Sequence, residues 1–249
     1  MSNALEITNG IKTIPSGRNI MNGLNLSVSQ GDFVTILGGN GAGKSTLFNV
    51  ISGQLHLTSG KVMLDGNDVT NESEENRAKY IARVFQDPKL GTAPRMTVAE
   101  NLLLAQLRGK SRKLKKRQLN QQKELFYEQC LKIGNGLENH LDTPTGNLSG
   151  GQRQALSLLM ATINKPDLLL LDEHTAALDP KTSRQLMELT EKTIHDNQLT
   201  CLMITHRMED ALKYGNRLIV LESGQVQEDL NQEQKNNLEL SDLLTFFNL

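Results

Sequence analysis

The chain has 249 residues, a formal net charge of -1 and only 4% aromatic residues. That length buries a sizeable core as one large domain or two small ones, and the near-neutral balance excludes a global pull toward nucleic acid or an anionic membrane. No run of residues approaches the roughly 18 apolar positions that a membrane span requires, and Met1–Lys12 lacks the basic-then-apolar pattern of a secretory signal.

In chain order, short apolar runs bounded by turn residues predict strands at Leu24–Val28, Phe33–Leu37, Lys61–Leu64, Leu168–Leu171, Leu202–Thr205 and Leu218–Leu221. Leu5–Ile7, Leu24–Val28 and Lys61–Leu64 read as a small antiparallel sheet near the N-terminus. Several other runs are apolar at every position, as parallel strands buried on both faces tend to be. Helical patterns cover Lys44–Ile51, Gln152–Ile163, Lys181–Asn197 and Met208–Tyr214. Strands alternating with helices imply an α/β core. From about Thr97 to Leu141 the chain reads as polar helix, an insertion that splits that core. Cys201 lies in the apolar run CLMIT and reads as a buried, reduced residue; Cys130 is far from it, with no metal-type spacing. The Asn/Gln-rich tail Asn231–Asn237 is too short to count as disordered.

The chemistry begins at Gly38-Gly39-Asn40-Gly41-Ala42-Gly43-Lys44-Ser45-Thr46, directly after the strand Phe33–Leu37 and at the start of a helix. Glycines let backbone N–H groups curl around phosphate oxygens, and the helix N-terminus adds partial positive charge. The motif assigns Lys44 to the β- and γ-phosphates and the Ser45 hydroxyl to Mg2+. A buried strand then ends in Asp172-Glu173. Adjacent carboxylates there are costly without a cation or solvent. Asp172 is expected to hold Mg2+, and Glu173 to polarise an attacking water as general base. Between these two motifs stands Leu148-Ser149-Gly150-Gly151-Gln152, a second glycine-rich approach to a helix and so a second anion-accepting N-terminus.

With LSGGQ between the phosphate loop and LLLLDE, the chain resembles the ABC-type ATPases, the nucleotide-binding subunits of ABC transporters, over nearly its whole length. The resemblance implies an α/β P-loop NTPase (RecA-like) core with an N-terminal antiparallel β subdomain and an inserted α-helical subdomain. It implies one ABC ATPase domain over 1–249, with 1–87 and 158–249 forming the β subdomain and core, and 88–157 the helical subdomain. ATP with Mg2+ is the expected ligand pair. It further implies a head-to-tail homodimer in which Ser149–Gln152 of one subunit close over the γ-phosphate held by the other. Gln86, in VFQDP, matches the glutamine that touches Mg2+ and the attacking water. His206, in MITH, matches the histidine that contacts the γ-phosphate and orients Glu173. Asp179, in ALD, matches the loop linking the two sites, and Ile14 stands where an aromatic residue usually stacks on adenine. The partners implied are integral membrane permease subunits and, indirectly, a substrate-binding protein, with the chain peripheral on the cytoplasmic face of the cell membrane.

Two positions depart from the family pattern. Ile14 gives up aromatic stacking, of order 1 kcal/mol, which leaves ATP over GTP less firmly specified. His174 replaces the proline common after the catalytic glutamate and reads as a rigid turn made differently, with pH sensing as the alternative. His56, His140 and His195 read as surface residues. The basic run Arg108–Arg117 suits either lipid headgroups, at about 1 kcal/mol per basic residue, or a solvated helix face. The stretches Phe85–Asn101 and Asp172–Asp179 resemble importer ATPases that accompany permeases related to branched-chain amino acid systems, some with tryptophan as suggested cargo. The alternatives are an exporter ATPase subunit and a non-transport ABC ATPase acting on nucleic acid or ribosomes. The single motif set and short helical insertion weigh against the second, and no nucleic-acid partner is expected.

Overall fold

A computed structural model describes residues 3–110 and 118–246. The strands are β1 (Asn3–Thr13), β2 (Asn19–Ser29), β3 (Phe33–Gly38), β4 (Ser59–Leu64), β5 (Asn67–Asp68), β6 (Ile81–Val84), β7 (Leu168–Asp172), β8 (Cys201–Ile204), β9 (Arg217–Glu222) and β10 (Gln225–Leu230). The helices are α1 (Lys44–Ser52), α2 (Glu74–Arg77), α3 (Val98–Gln106), α4 (Leu119–Ile133), α5 (Gly150–Thr162), α6 (Pro180–Asp196), α7 (Met208–Lys213), α8 (Gln232–Asn236) and α9 (Leu240–Phe246).

Two sheets form. The first has the order β2-β1-β4-β5 and is antiparallel; the second has the order β10-β9-β3-β8-β7-β6, parallel except for β10. The run Leu168–Leu171 is apolar at every residue because its two faces serve two cores. Leu168 and Leu170 pack with Val34, Ile36, α1 residues Leu47 and Phe48, and the antiparallel sheet. Leu169 and Leu171 pack with Leu156 of α5, Leu186 of α6 and the α3–α4 residues Leu102 and Phe126. The small antiparallel sheet and the helical stretch after Thr97 thus lie where the sequence placed them. That stretch contains α3 and α4, and α5 runs unbroken across the expected subdomain boundary at 157. Cys130 and Cys201 are buried free thiols.

Three local differences from the sequence expectations have simple causes. β6 carries Arg83 in an otherwise apolar run, and β10 is a polar edge strand, so neither shows strand patterning. α5 begins at Gly150 rather than Gln152 because Ser149 caps it. The polar tail forms α8, opened by a capping box between Asn231 and Gln234. Most of the basic run, 111–117, lies outside the described residues. Arg108 itself is not a free surface cation: its guanidinium donates to the carbonyls of Ala161 (3.0 Å) and Asn164 (2.7 Å) at the end of α5.

α8 is held by one buried amine. Lys235, 2% exposed, donates to the carbonyls of Tyr214 and Gly215 at the turn before β9. Burial pushes its pKa down to about 8 from an ordinary 10.5. Lys235→Met is expected to cost about 1–2 kcal/mol at pH 7, because two carbonyls lose their donor. Between pH 8 and 10.5 the unfolded wild-type chain binds more protons than the folded one, so wild-type stability rises with pH. Denaturant melts at pH 7 and pH 9.5 should therefore show the gap to the variant widening; a constant or narrowing gap would contradict the burial of a perturbed amine.

Candidate functional site

Register alone gathers the site at one edge of the large sheet. Val84 pairs with Leu171, Asp172 with Ile204, Ile36 with Ile204 and Leu37 with Val220. Gln86, Asp172–Glu173, His206 and Gly38–Gly39 therefore all emerge at the C-terminal ends of neighbouring parallel strands, where ligands of open α/β sheets bind.

The loop from Gly38 to Gly43 joins β3 to α1. Gly43 caps the helix in the left-handed region (φ 101°), without any side-chain cap. A Cβ there would also lie 3.1 Å from the Ile20 carbonyl oxygen, so both conformation and space demand glycine. The first-turn N–H groups of α1, including those of Ser45 and Thr46, have no intrahelical acceptors and form a ready anion site. A Cβ on Gly39 or Gly41 would meet nothing within 4 Å, room that side chains would otherwise fill. The cradle fits a polyphosphate.

Lys44 is buried, and its Nζ donates to the carbonyls of Gly38 (2.7 Å) and Gly39 (3.0 Å). Burial lowers its pKa, while the negative charges of Glu173 and Asp172 oppose that shift. All three charged groups thus share one field. Glu173 Oε1 lies 2.6 Å from His206 Nε2, the carboxylate nearly covered and the imidazole about half exposed. Glu173 itself has φ 48°, a left-handed turn at a non-glycine residue that directs the chain away from β7. Asp172 is paired with Arg83, Nη2 to Oδ2 at 2.5 Å, and the Arg83 guanidinium lies over the rings of Phe85 (4.9 Å) and Phe48 (5.8 Å). Gln86 is exposed, one residue past Phe85, whose carbonyl accepts from the buried Gln154 of α5 at 2.9 Å.

A hydroxyl (Ser45), one carboxylate (Asp172) and an amide (Gln86) are hard oxygen donors. They suit Mg2+, which takes one or two protein carboxylates together with phosphate oxygens. Among the described residues no cluster of three or more His, Cys, Asp and Glu gathers as a separate metal centre.

Ser149–Gln152 make their hydrogen bonds away from the phosphate loop of the same chain. Ser149 accepts from Gln152 N (3.2 Å), and Ser149 N donates to Gln152 Oε1 (3.1 Å), a capping box that opens α5. Arg153 fastens the approach through the carbonyls of Thr145, Gly146 and Leu148. A Cβ on Gly151 would fall 2.5 Å from Thr182 Cγ2, so glycine lets the starts of α5 and α6 touch. Asp179 caps α6, accepting from the N–H groups of Thr182 and Lys181 at 3.1 Å each; these bonds hold its pKa below the ordinary value. Ile14 lines a cavity of about 510 Å3 with Lys12, Thr13, Pro15, Leu55 and Thr46 of the phosphate loop. His174 is fully buried rather than beside the Glu173 carboxylate in solvent.

The structure therefore brings Lys44, Asp172, Glu173 and His206 together and sets Ser149–Gln152 apart. Sequence reading passed over Arg83, Gln154 and Arg153. A charge inside the apolar run of β6 was the one available signal for the first.

A phosphate loop at the C-terminal end of a central parallel strand, faced by an acidic pair, defines a P-loop nucleotide hydrolase. The family model described as ABC transporter matches residues 21–176, and the chain belongs to that family as an ATP-binding subunit, an ATPase cassette. Similar proteins include the tyrosine transport ATP-binding protein of Clostridioides difficile (strain R20291), 46% identical over 98% of both chains. The spermidine/putrescine import ATP-binding protein PotA of Escherichia coli (strain K12) is 33% identical over 88% of this chain, which spans 55% of that longer relative. Among solved structures, the ADP conformation of the ATP-binding cassette MJ1267 matches with TM-score 0.80 and 26% identity, covering both chains fully. The dimeric post-hydrolysis structure of the cassette MJ0796 with ADP and Pi matches with TM-score 0.76 and 30% identity, over 92% of this chain and 98% of that one. Among the described residues no helix is long and apolar enough to cross a membrane.

Proposed function

We propose that this chain is the energy-coupling subunit of an amino-acid importer whose cargo is an aromatic amino acid. The observation that carries the cargo class is the 46% identity, over 98% of both chains, with a protein named for tyrosine transport. The polyamine-import relatives support import but share less identity and a smaller part of their length.

In this reading two copies pair head to tail, each offering its phosphate loop to Ser149–Gln152 of the other. The N–H groups of α1 and the amine of Lys44 hold the phosphates, and Ile14 covers one face of the base. Ser45, Asp172 and Gln86 would hold Mg2+, which would supply positive charge against the phosphates. Glu173 accepts a proton from water as its oxygen bonds to the γ-phosphorus. The bond from that phosphorus to the bridging oxygen breaks, and ADP leaves with the electron pair. His206 keeps the carboxylate aimed, as its 2.6 Å contact supports. Asp179 carries the state of one site toward the other. Gln86 and the helical segment 88–157 pass closure to an integral membrane permease that holds this chain at the cytoplasmic face, with a substrate-binding protein supplying cargo from the far side.

The test is to purify the chain with its membrane partners, reconstitute the complex with its binding protein and measure ATP hydrolysis. Tyrosine or tryptophan should stimulate phosphate release several-fold, and spermidine and branched-chain amino acids should not. Stimulation by spermidine alone would overturn the cargo assignment.

A further inference from the structure

His174 follows Glu173 directly, and no step above uses it. Its ring is 2% exposed, and Nε2 lies 3.0 Å from Thr190 Oγ1 on α6. The Thr190 hydroxyl donates its own proton to the Leu186 carbonyl at 2.7 Å. That oxygen can therefore only accept from the ring, which fixes a proton on His174 Nε2. Burial pushes the ring's pKa down to about 4, so this bond persists unchanged through the neutral range.

The placement matters because Glu173 needs bracing. It sits at φ 48°, strained for a residue with a Cβ, and conformations of that kind persist only when their surroundings over-determine them. On one side its N–H donates to the Ile204 carbonyl at 3.1 Å, tying it to β8. On the other side the Glu173 carbonyl accepts from the Ala176 N–H at 2.9 Å within the turn, and His174 to Thr190 ties that turn to α6. The same helix braces the partner residue: Arg207, next to His206, donates through Nη1 to Ser183 Oγ at 3.0 Å. Ser183 and Thr190 are both buried on α6, whose first turn is capped by Asp179.

We propose that His174 is a positioning residue: its hydrogen bond to Thr190 anchors the Glu173 turn to α6, as Arg207 to Ser183 anchors His206, so that one helix keeps the base and its orienting imidazole in register. A hydrogen-bonded histidine thereby does what a rigid proline ring does elsewhere in the family. This rests on Glu173 being the general base.

The experiment measures steady-state ATP hydrolysis by the whole protein, with kcat normalised to nucleotide-binding sites counted by ATP titration so that unfolded protein does not enter. His174→Ala and Thr190→Val should each lower kcat by about tenfold, less than the roughly 10²-fold that a full 1 Å misplacement of a catalytic group can cost. KM for ATP should stay within about twofold, since binding is left to the phosphate loop. Thr190→Ser and His174→Gln, which keep an acceptor and a donor in place, should recover most of the rate. The double variant should be no slower than the worse single one, as expected for partners in one interaction. Unchanged kcat in Thr190→Val, or equal losses in His174→Ala and His174→Gln, would overturn the brace. If His174→Ala does not fold, the near-isosteric Thr190→Val and Thr190→Ser pair decides alone. Glu173→Gln is run beside them: full turnover there would sink the base assignment itself, whereas an inactive Glu173→Gln with a normal Thr190→Val sinks only the brace.

Discussion

Glu173→Gln is expected to lower ATP turnover by about 10²–10⁴-fold while leaving ATP binding intact, the range a lost general base accounts for. The substitution keeps the side chain's size and its hydrogen-bond acceptor toward His206 Nε2, now 2.6 Å away. It removes the capacity to take a proton from water, together with the negative charge that faces Lys44. Lys44, the α1 N-terminus and the cradle around Gly39–Gly43 are untouched, so the nucleotide should bind and the pair of subunits should close without reopening. Phosphate release reports the first effect. Size-exclusion chromatography with ATP and Mg2+ reports the second, as a larger dimer fraction than wild type is expected to give. Wild-type turnover in Glu173→Gln would overturn the catalytic assignment. Turnover lost together with nucleotide affinity would place the residue in binding instead. His206→Ala gives the complementary reading: it should slow turnover less, because the carboxylate remains and only its aim is lost.

What the sequence made legible was whatever lies contiguous along the chain. Lys44 and Ser45 come with their glycines, Asp172 and Glu173 with four leucines before them, and Ser149 with the rest of its capping box. Each motif carries its own backbone instructions, so spacing alone sufficed. The missed features depend on partners that only the fold assembles. Arg83 meets Asp172 across 89 positions, Arg207 meets Ser183 across 24, and His174 meets Thr190 across 16. Strands followed the same division. β7 and β8 are buried on both faces and advertise themselves, whereas β6 spends a residue on the Arg83 ion pair and β10 is half solvated at an edge. Asp179 shows a further difficulty. A residue matched to intersubunit communication also caps α6 through two N–H groups, and a motif cannot divide the two tasks.

Arg77→Met is expected to destabilise the fold by about 3 kcal/mol, the scale of buried carbonyls losing hydrogen bonds to a charged donor. The Arg77 side chain is 1% exposed and ends α2. Its Nη1 donates to the carbonyls of Val50 (2.7 Å) and Ile51 (2.9 Å), and its Nη2 to those of Val69 and Thr70. Two of these acceptors lie at the C-terminal end of α1, where a cation is favoured by the helix dipole. Val50 O also accepts from the Gly53 N–H and Val69 O from the Glu72 N–H, whereas the Ile51 and Thr70 carbonyls lose their charged donor outright. The guanidinium therefore closes the far end of the helix whose near end forms the phosphate cradle, and it ties that helix to the turn after β5. Gly53 makes the room: a Cβ there would lie 3.1 Å from both Cδ and Nε of Arg77. Methionine fills much of the stem's volume but satisfies none of the carbonyls. Lysine, with one nitrogen, cannot reach both pairs and should recover less than half of the loss. For a chain of this size the change amounts to a drop of roughly 10 °C in Tm, measurable by calorimetry. A shift under about 2 °C, less than 1 kcal/mol by that conversion, would show that solvent replaces the lost donors and that α1 does not depend on this clasp. If the clasp holds as described, ATP added to Arg77→Met should restore part of the lost Tm, because a ligand bound at the near end of α1 stabilises the folded form by mass action.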